Sequence, residues 1–165
     1  HARPPGLVDL ALSLATVGPA QSWLSRASDA FERERLYLVR LTAAVGPFPS
    51  TPGGAETEAA LVAQRHALET LATSERNGCS LGAATALVSD WWPIRRFLDR
   101  AATRAGIESP EPSIPDEASI LEVVGQACDS PASERALAFG GDQLLLQHRA
   151  LLDLLQARAA ARGDW

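Results

Sequence analysis

Glu34, Glu75 and His148 each interrupt a helical stripe of otherwise apolar residues, and they are the side chains best placed to do chemistry. The stripes read Leu24, Ala27, Phe31, Glu34, Leu38, Leu41, Val45; then Leu61, Gln64, Leu68, Leu71, Glu75; then Glu134, Leu137, Gly141, Leu144, His148, Leu151, Leu155, Ala159. A carboxylate facing a helical core must pair, take up a proton or bind a cation, because an isolated buried charge is too costly. Acids and an imidazole projecting inward from different helices are the donors of an iron, manganese or zinc centre. Glu134 and Asp90 are outer members of such a set. The competing reading pairs Glu34 and Glu75 with arginines such as Arg40, Arg65 or Arg95, and it is preferred because internal ion pairs commonly serve structure only.

Other chemistry is less well supported. Cys79 and Cys128 lack CxxC spacing and fall inside helical patterns, which predicts two buried, reduced thiols. Gly140-Gly141 lies within a helix rather than between strand and helix, so it is no phosphate loop. It weakens that helix unless a neighbouring backbone approaches closely there. Trp91 and Trp92 point to different sides of one helix: Trp91 suits the core, while Trp92, beside Arg95 and Arg96, suits a partner-binding anchor.

These residues must be held by helices. Gly and Pro fall at breaks between long stretches rich in Ala, Leu and Arg, and apolar residues recur every three to four positions. The pattern predicts a short helix over 7–17 and long helices over 19–45, from Thr51-Pro52 to Asn77, over 79–105 with a kink or restart at Pro93, and from Ser130-Pro131 to 162. A shorter helix over 116–129 should bury Ile120, Leu121, Val124 and Cys128. The fold class is therefore all-α: an antiparallel bundle of four long helices plus short ones, forming one domain over 1–165 with the bundle in 19–162.

Composition narrows the partners. All 15 basic residues are Arg, dispersed among 20 acidic ones, and the net charge of −5 opposes a nucleic-acid surface. The run Leu7–Val17 carries Asp9 and is too short to cross a bilayer, so it reads as a short helix of a cytoplasmic protein with no membrane partner.

With Glu34 and Glu75 in the places of first- and second-helix ligands, the chain resembles the ferritin-like superfamily. That resemblance implies a metal-binding oxidase or storage protein with Glu34, Glu75 and His148 as ligands. The Glu-x-x-His units of that superfamily are missing: Gly78 stands three residues after Glu75, and Leu145 three before His148. The runs PSTPGGAETEAALVAQRHALETLA, ERNGCSLGAATALVSDWW and LAFGGDQLLLQHRALLDLL resemble an uncharacterised family of short helical proteins from high-GC proteobacteria, which implies no catalytic residue. The preferred reading is a non-catalytic bacterial bundle without a cofactor. It would act by self-association as a homo-oligomer or by binding a protein partner, with Trp92, Arg95 and Arg96 as the candidate contact. The metal protein of atypical ligation is the alternative.

Overall fold

Proline and glycine set most helix boundaries. The computed structural model describes residues 3–47 and 53–163, which form α1 (Leu7–Leu14), α2 (Pro19–Val45), α3 (Gly54–Ala72), α4 (Cys79–Arg104), α5 (Glu117–Ala127) and α6 (Pro131–Arg162). No strand occurs among the described residues, and no helix there is long and apolar enough to cross a membrane. Asp116 caps α5 by accepting from the Ser119 amide at 2.9 Å, and Ser130 caps α6 by accepting from the Ser133 amide at 3.1 Å, with Pro131 in the first turn. Gly78 precedes α4 at φ 95°, a conformation that favours glycine.

Several expectations need correction. α1 stops at Leu14, and α3 stops at Ala72, so Glu75 lies in the turn before α4 and not on a helical stripe. The expected Thr51-Pro52 start lies outside the described residues. α4 runs through Pro93 without a restart. On α5 Val123 is buried and the expected Ile120 and Val124 are half-buried, while Leu121 and, just past the helix end, Cys128 are exposed, so the inward face is rotated from the expected one. Cys79 is buried, and both thiols are free.

Helix α4 is the hub. It touches all five other helices, and its contact with α6 is the most extensive in the molecule. Gly78, Gly82 and Ala86 recur every four residues and form a flat strip along α4. Against it lie Ser133, Leu137 and Gly140-Gly141 of α6. A methyl group added at Gly82 would sit 2.0 Å from the Leu137 carbonyl oxygen, and one at Gly140 would sit 2.0 Å from that of Cys79. The two backbones are therefore in direct contact, which only glycine permits.

The contacts also fix helix direction. Moving along α4, Gly78 faces Ser133, Gly82 faces Leu137, Ala86 faces Gly141, and Asp90 reaches His148. Both helices advance in the same sense. Between α2 and α4 the order is likewise parallel: Phe31 stacks edge-on against Trp91, Glu34 reaches Trp91 and Arg95, and Tyr37 reaches Asp99. α3 runs the other way, with Gln64 donating to the Gln147 carbonyl and Gly53 beside Arg158. The expected antiparallel bundle is thus corrected: α2, α4 and α6 share one direction and α3 opposes them. α3 supplies the return between α2 and α4. The segment 105–130, which contains α5, supplies the return between α4 and α6.

The main core joins Trp23, Leu24, Ala27 and Phe31 of α2 to Leu81, Ala84, Leu87, Val88 and Trp91 of α4, with α1 laid over it through Leu7, Val8 and Ala11. Asp9 locks α1 in place by accepting from Ser28 at 2.6 Å and from Arg35 at 2.9 Å. A smaller cluster of Tyr37, Leu41 and Ala102 closes the far end.

The glycine contact yields a sharp contrast. Gly82→Ala and Gly140→Ala should each destabilise the protein by about 3 kcal/mol or more, since backbone on both sides must move. Gly141→Ala meets its neighbours only at 3.5 Å and beyond, and should be neutral or stabilising by up to about 1 kcal/mol. Urea denaturation of the three variants checks this, and equal losses at all three positions would contradict it.

Candidate functional site

The densest polar cluster is built on two helical rows. Trp91, Arg95 and Asp99 follow one another at four-residue spacing on α4, and Glu34 and Tyr37 lie one turn apart on α2. Because the helices run in the same sense, the rows meet in order. Glu34 Oε2 accepts from Trp91 Nε1 at 2.9 Å, and Oε1 accepts from Arg95 Nη1 at 2.7 Å. Arg95 Nε donates to Asp99 Oδ1 at 2.8 Å, and its Nη2 donates to the carbonyl of Pro110. The Tyr37 hydroxyl donates to Asp99 at 2.9 Å and lies 3.1 Å from Ser109 Oγ, while the Arg95 guanidinium stacks 4.4 Å from the Tyr37 ring centroid. The segment between α4 and α5 is tied in through Pro110 and Ser109, and again where Arg33 donates to Ser113.

Glu34 and Arg95 are each only 2% exposed. Desolvating such a pair costs several kcal/mol per ion and is offset only when every remaining donor and acceptor is satisfied. Here both carboxylate oxygens and all three guanidinium nitrogens have partners. Among the described residues no buried side-chain polar atom lacks a hydrogen bond. Burial pushes the Tyr37 hydroxyl above its ordinary range, reinforced by the Asp99 carboxylate and opposed by Ser109 and Arg95. Burial also pushes Asp99 upward, but hydrogen bonds from Tyr37 and Arg95 and the Arg95 charge outweigh it, so Asp99 titrates below the usual carboxylate range. The cluster fixes α2, α4 and the segment after α4 to one another.

A second polar contact closes the α4–α6 interface. His148 is buried, and its Nδ1 lies 2.5 Å from Asp90 Oδ2, within hydrogen-bond distance. Beside the start of α6 is an open groove of about 660 Å³, lined in part by Arg76, Asn77, Ser130, Arg135 and Phe139, with Arg76 over the Phe139 ring. Beside it Ser133 bridges Ser130 and Asp129.

The sequence-based site residues are thus separated. Glu34 pairs with Arg95, one of the three arginines proposed for it, and His148 pairs with Asp90. Glu75 is exposed in the turn after α3, which corrects its expected burial; Glu134 is exposed as well. Among the described residues no three His, Cys, Asp or Glu side chains lie close enough together to hold a metal ion. Trp92 is 37% exposed and Arg96 is exposed, but Arg95 belongs to the core and leaves that candidate contact. Tyr37, Asp99 and Ser109 were not singled out from sequence. The signal for the first two was the helical spacing from Glu34 and from Arg95.

A family profile decides where the chain belongs: it matches residues 1–163. The chain belongs to the DUF6975 family, a family of unknown function. No curated protein and no solved structure matches it.

Three tests follow from the cluster. Glu34→Leu leaves Arg95 buried without its main counter-charge and should cost about 3–5 kcal/mol, and combining it with Arg95→Met should cost well below the sum of the two single losses. Additive losses in a double-mutant cycle would contradict the coupling. Asp99, depressed in the folded state, contributes stability that is present above its unfolded pKa and lost as pH falls through its folded value. Asp99→Asn should therefore flatten the decline in urea midpoint between about pH 5 and about pH 2. Tyr37 has the opposite sign: its contribution is present below the ordinary tyrosine pKa and lost as pH rises through the raised folded value, so Tyr37→Phe should remove that alkaline loss.

Proposed function

We propose that this protein works by association, with itself or with a protein partner, and that the exposed leucines in the second half of α6 are the contact. The observation that carries the reading is the exposure of Leu145, Leu152 and Leu155, which are 46%, 58% and 50% exposed on a 32-residue helix, Leu155 continuing the line of Leu144 and His148 and the other two beside it. A run of half-exposed leucines on a single helix is uncommon where nothing covers it, because contiguous apolar surface of this kind marks interaction sites. The polar clusters support the same reading, since their carboxylates and guanidinium are engaged with one another. Trp92 and Arg96 on α4 are a lesser candidate, as a single half-exposed indole among polar neighbours.

A photo-cross-linking amino acid placed at Leu152 in the native host tests this. One discrete adduct, to the protein itself or to one other identified protein, is expected, and it should disappear when Leu145 and Leu155 are changed to Ser. Recovery of unmodified monomer only would contradict the proposal.

A further inference from the structure

The second half of α4 and the strap that follows it place opposite charges side by side. Trp92, Arg96, Arg100 and Arg104 recur every four residues, turning about 40° per step, and so form one row along the outside of α4. All four are exposed, and Phe97 beside them is 65% exposed. No Lys or Arg occurs between Arg104 and Arg135, and the strap after the helix presents Glu108, Pro110 and Glu111 to solvent. Among the described residues Arg96, Arg100, Glu108 and Glu111 make no ion pair or side-chain hydrogen bond.

Two contacts fix how the strap lies against the row. The Pro110 carbonyl accepts from Arg95, and Tyr37 joins Ser109 to Asp99. The strap therefore runs antiparallel to α4, with Glu111 near the level of Arg96 and Glu108 near that of Arg100. Around the helix, Asp99 falls between Arg95 and Trp92, so the strap borders the row on its Trp92 side. The result is a basic stripe and an acidic stripe, parallel and adjacent.

We infer that a second copy of the chain covers this face, each α4 row lying on the partner's strap, with Arg96 against the partner's Glu111 and Arg100 against the partner's Glu108. A twofold axis parallel to α4, between row and strap, keeps every residue at its own level and exchanges the two stripes across the interface, so both contacts form at once. An axis across α4 would instead set arginine against arginine and glutamate against glutamate. The net charge of −5 opposes a polyanion on the arginine row. A short acidic strap of a second copy supplies the counter-charge without that repulsion. The inference shares with the association reading the claim that the protein associates, and it uses a different surface from the α6 leucines.

Sedimentation equilibrium of the purified full chain tests the pairing, with circular dichroism to confirm that each variant folds. The parent should be a dimer. Reversing the row (Arg96→Glu/Arg100→Glu) or the strap (Glu108→Arg/Glu111→Arg) places like charges in both contacts and should raise the dimer Kd about tenfold or more. Mixing the two reversed variants in equal amounts should restore dimers with a Kd within about threefold of the parent's, because the reversed row then meets a reversed strap and the native row a native strap. Charges that paired only within one chain would not respond to mixing. A monomeric parent at about 1 mM, reversed variants that dimerise like the parent, or a mixture no tighter than its components would each overturn the pairing. A monomeric parent whose Leu152 cross-linker captures a different protein refutes this inference and leaves the wider association reading standing; loss of both results refutes both.

Discussion

The contact between the backbones of α4 and α6 at Gly82 and Gly140 constrains everything around it. Two helices can come this close only where a glycine on one meets the backbone of the other, as Gly78 and Gly82 do on α6 and Gly140 does on α4. Its position sets the register of α6 on α4, and it brings Asp90 opposite His148 at the next turn. It also accounts for two adjacent glycines in the middle of a long helix, where each would otherwise cost about 1 kcal/mol relative to alanine. Of the pair, Gly140 meets backbone, while Gly141 has ordinary van der Waals neighbours.

A parallel arrangement of α4 and α6 has consequences for the chain between them. It must travel back the length of α4, and it does so partly as the irregular segment after Arg104 and partly as α5. Irregular backbone needs anchoring, and the buried Arg95 provides it by binding the Pro110 carbonyl while pairing with Glu34. The same guanidinium holds Asp99 and covers the Tyr37 ring. One arginine therefore joins two helices and the return segment. The carboxylate that looked like a candidate metal ligand serves as its counter-ion.

The helical class, the bounds of α2 and α6, and the burial of Glu34 and His148 were legible in the sequence because each rests on a long 3.6-residue pattern with a capped or proline-marked start. Glu75 was misread because its spacing continues the α3 stripe into a turn: the helix has already ended at Ala72, and Thr73 folds its hydroxyl back onto the Glu69 carbonyl. Arg95 was grouped with Trp92 by adjacency, although its four-residue spacing from Trp91 places it on the core face. Helix direction was not legible. Apolar periodicity says which face is buried and nothing about which way a neighbour runs, and the long 105–130 connection permits either sense. In α5 only eleven residues carry the pattern, too few to fix its phase.

The most direct test of this account is a set of interhelical nuclear Overhauser contacts on isotope-labelled protein, because the α4–α6 pairing decides both the hub and the face that α6 leaves open. The account predicts contacts from the Gly140 α-protons to Cys79 and Ala83, from Gly78 to Ser133, and between the side chains of Asp90 and His148. Contacts linking Asp90 to Ser133 and Gly78 to His148 instead would show an antiparallel pair and contradict it.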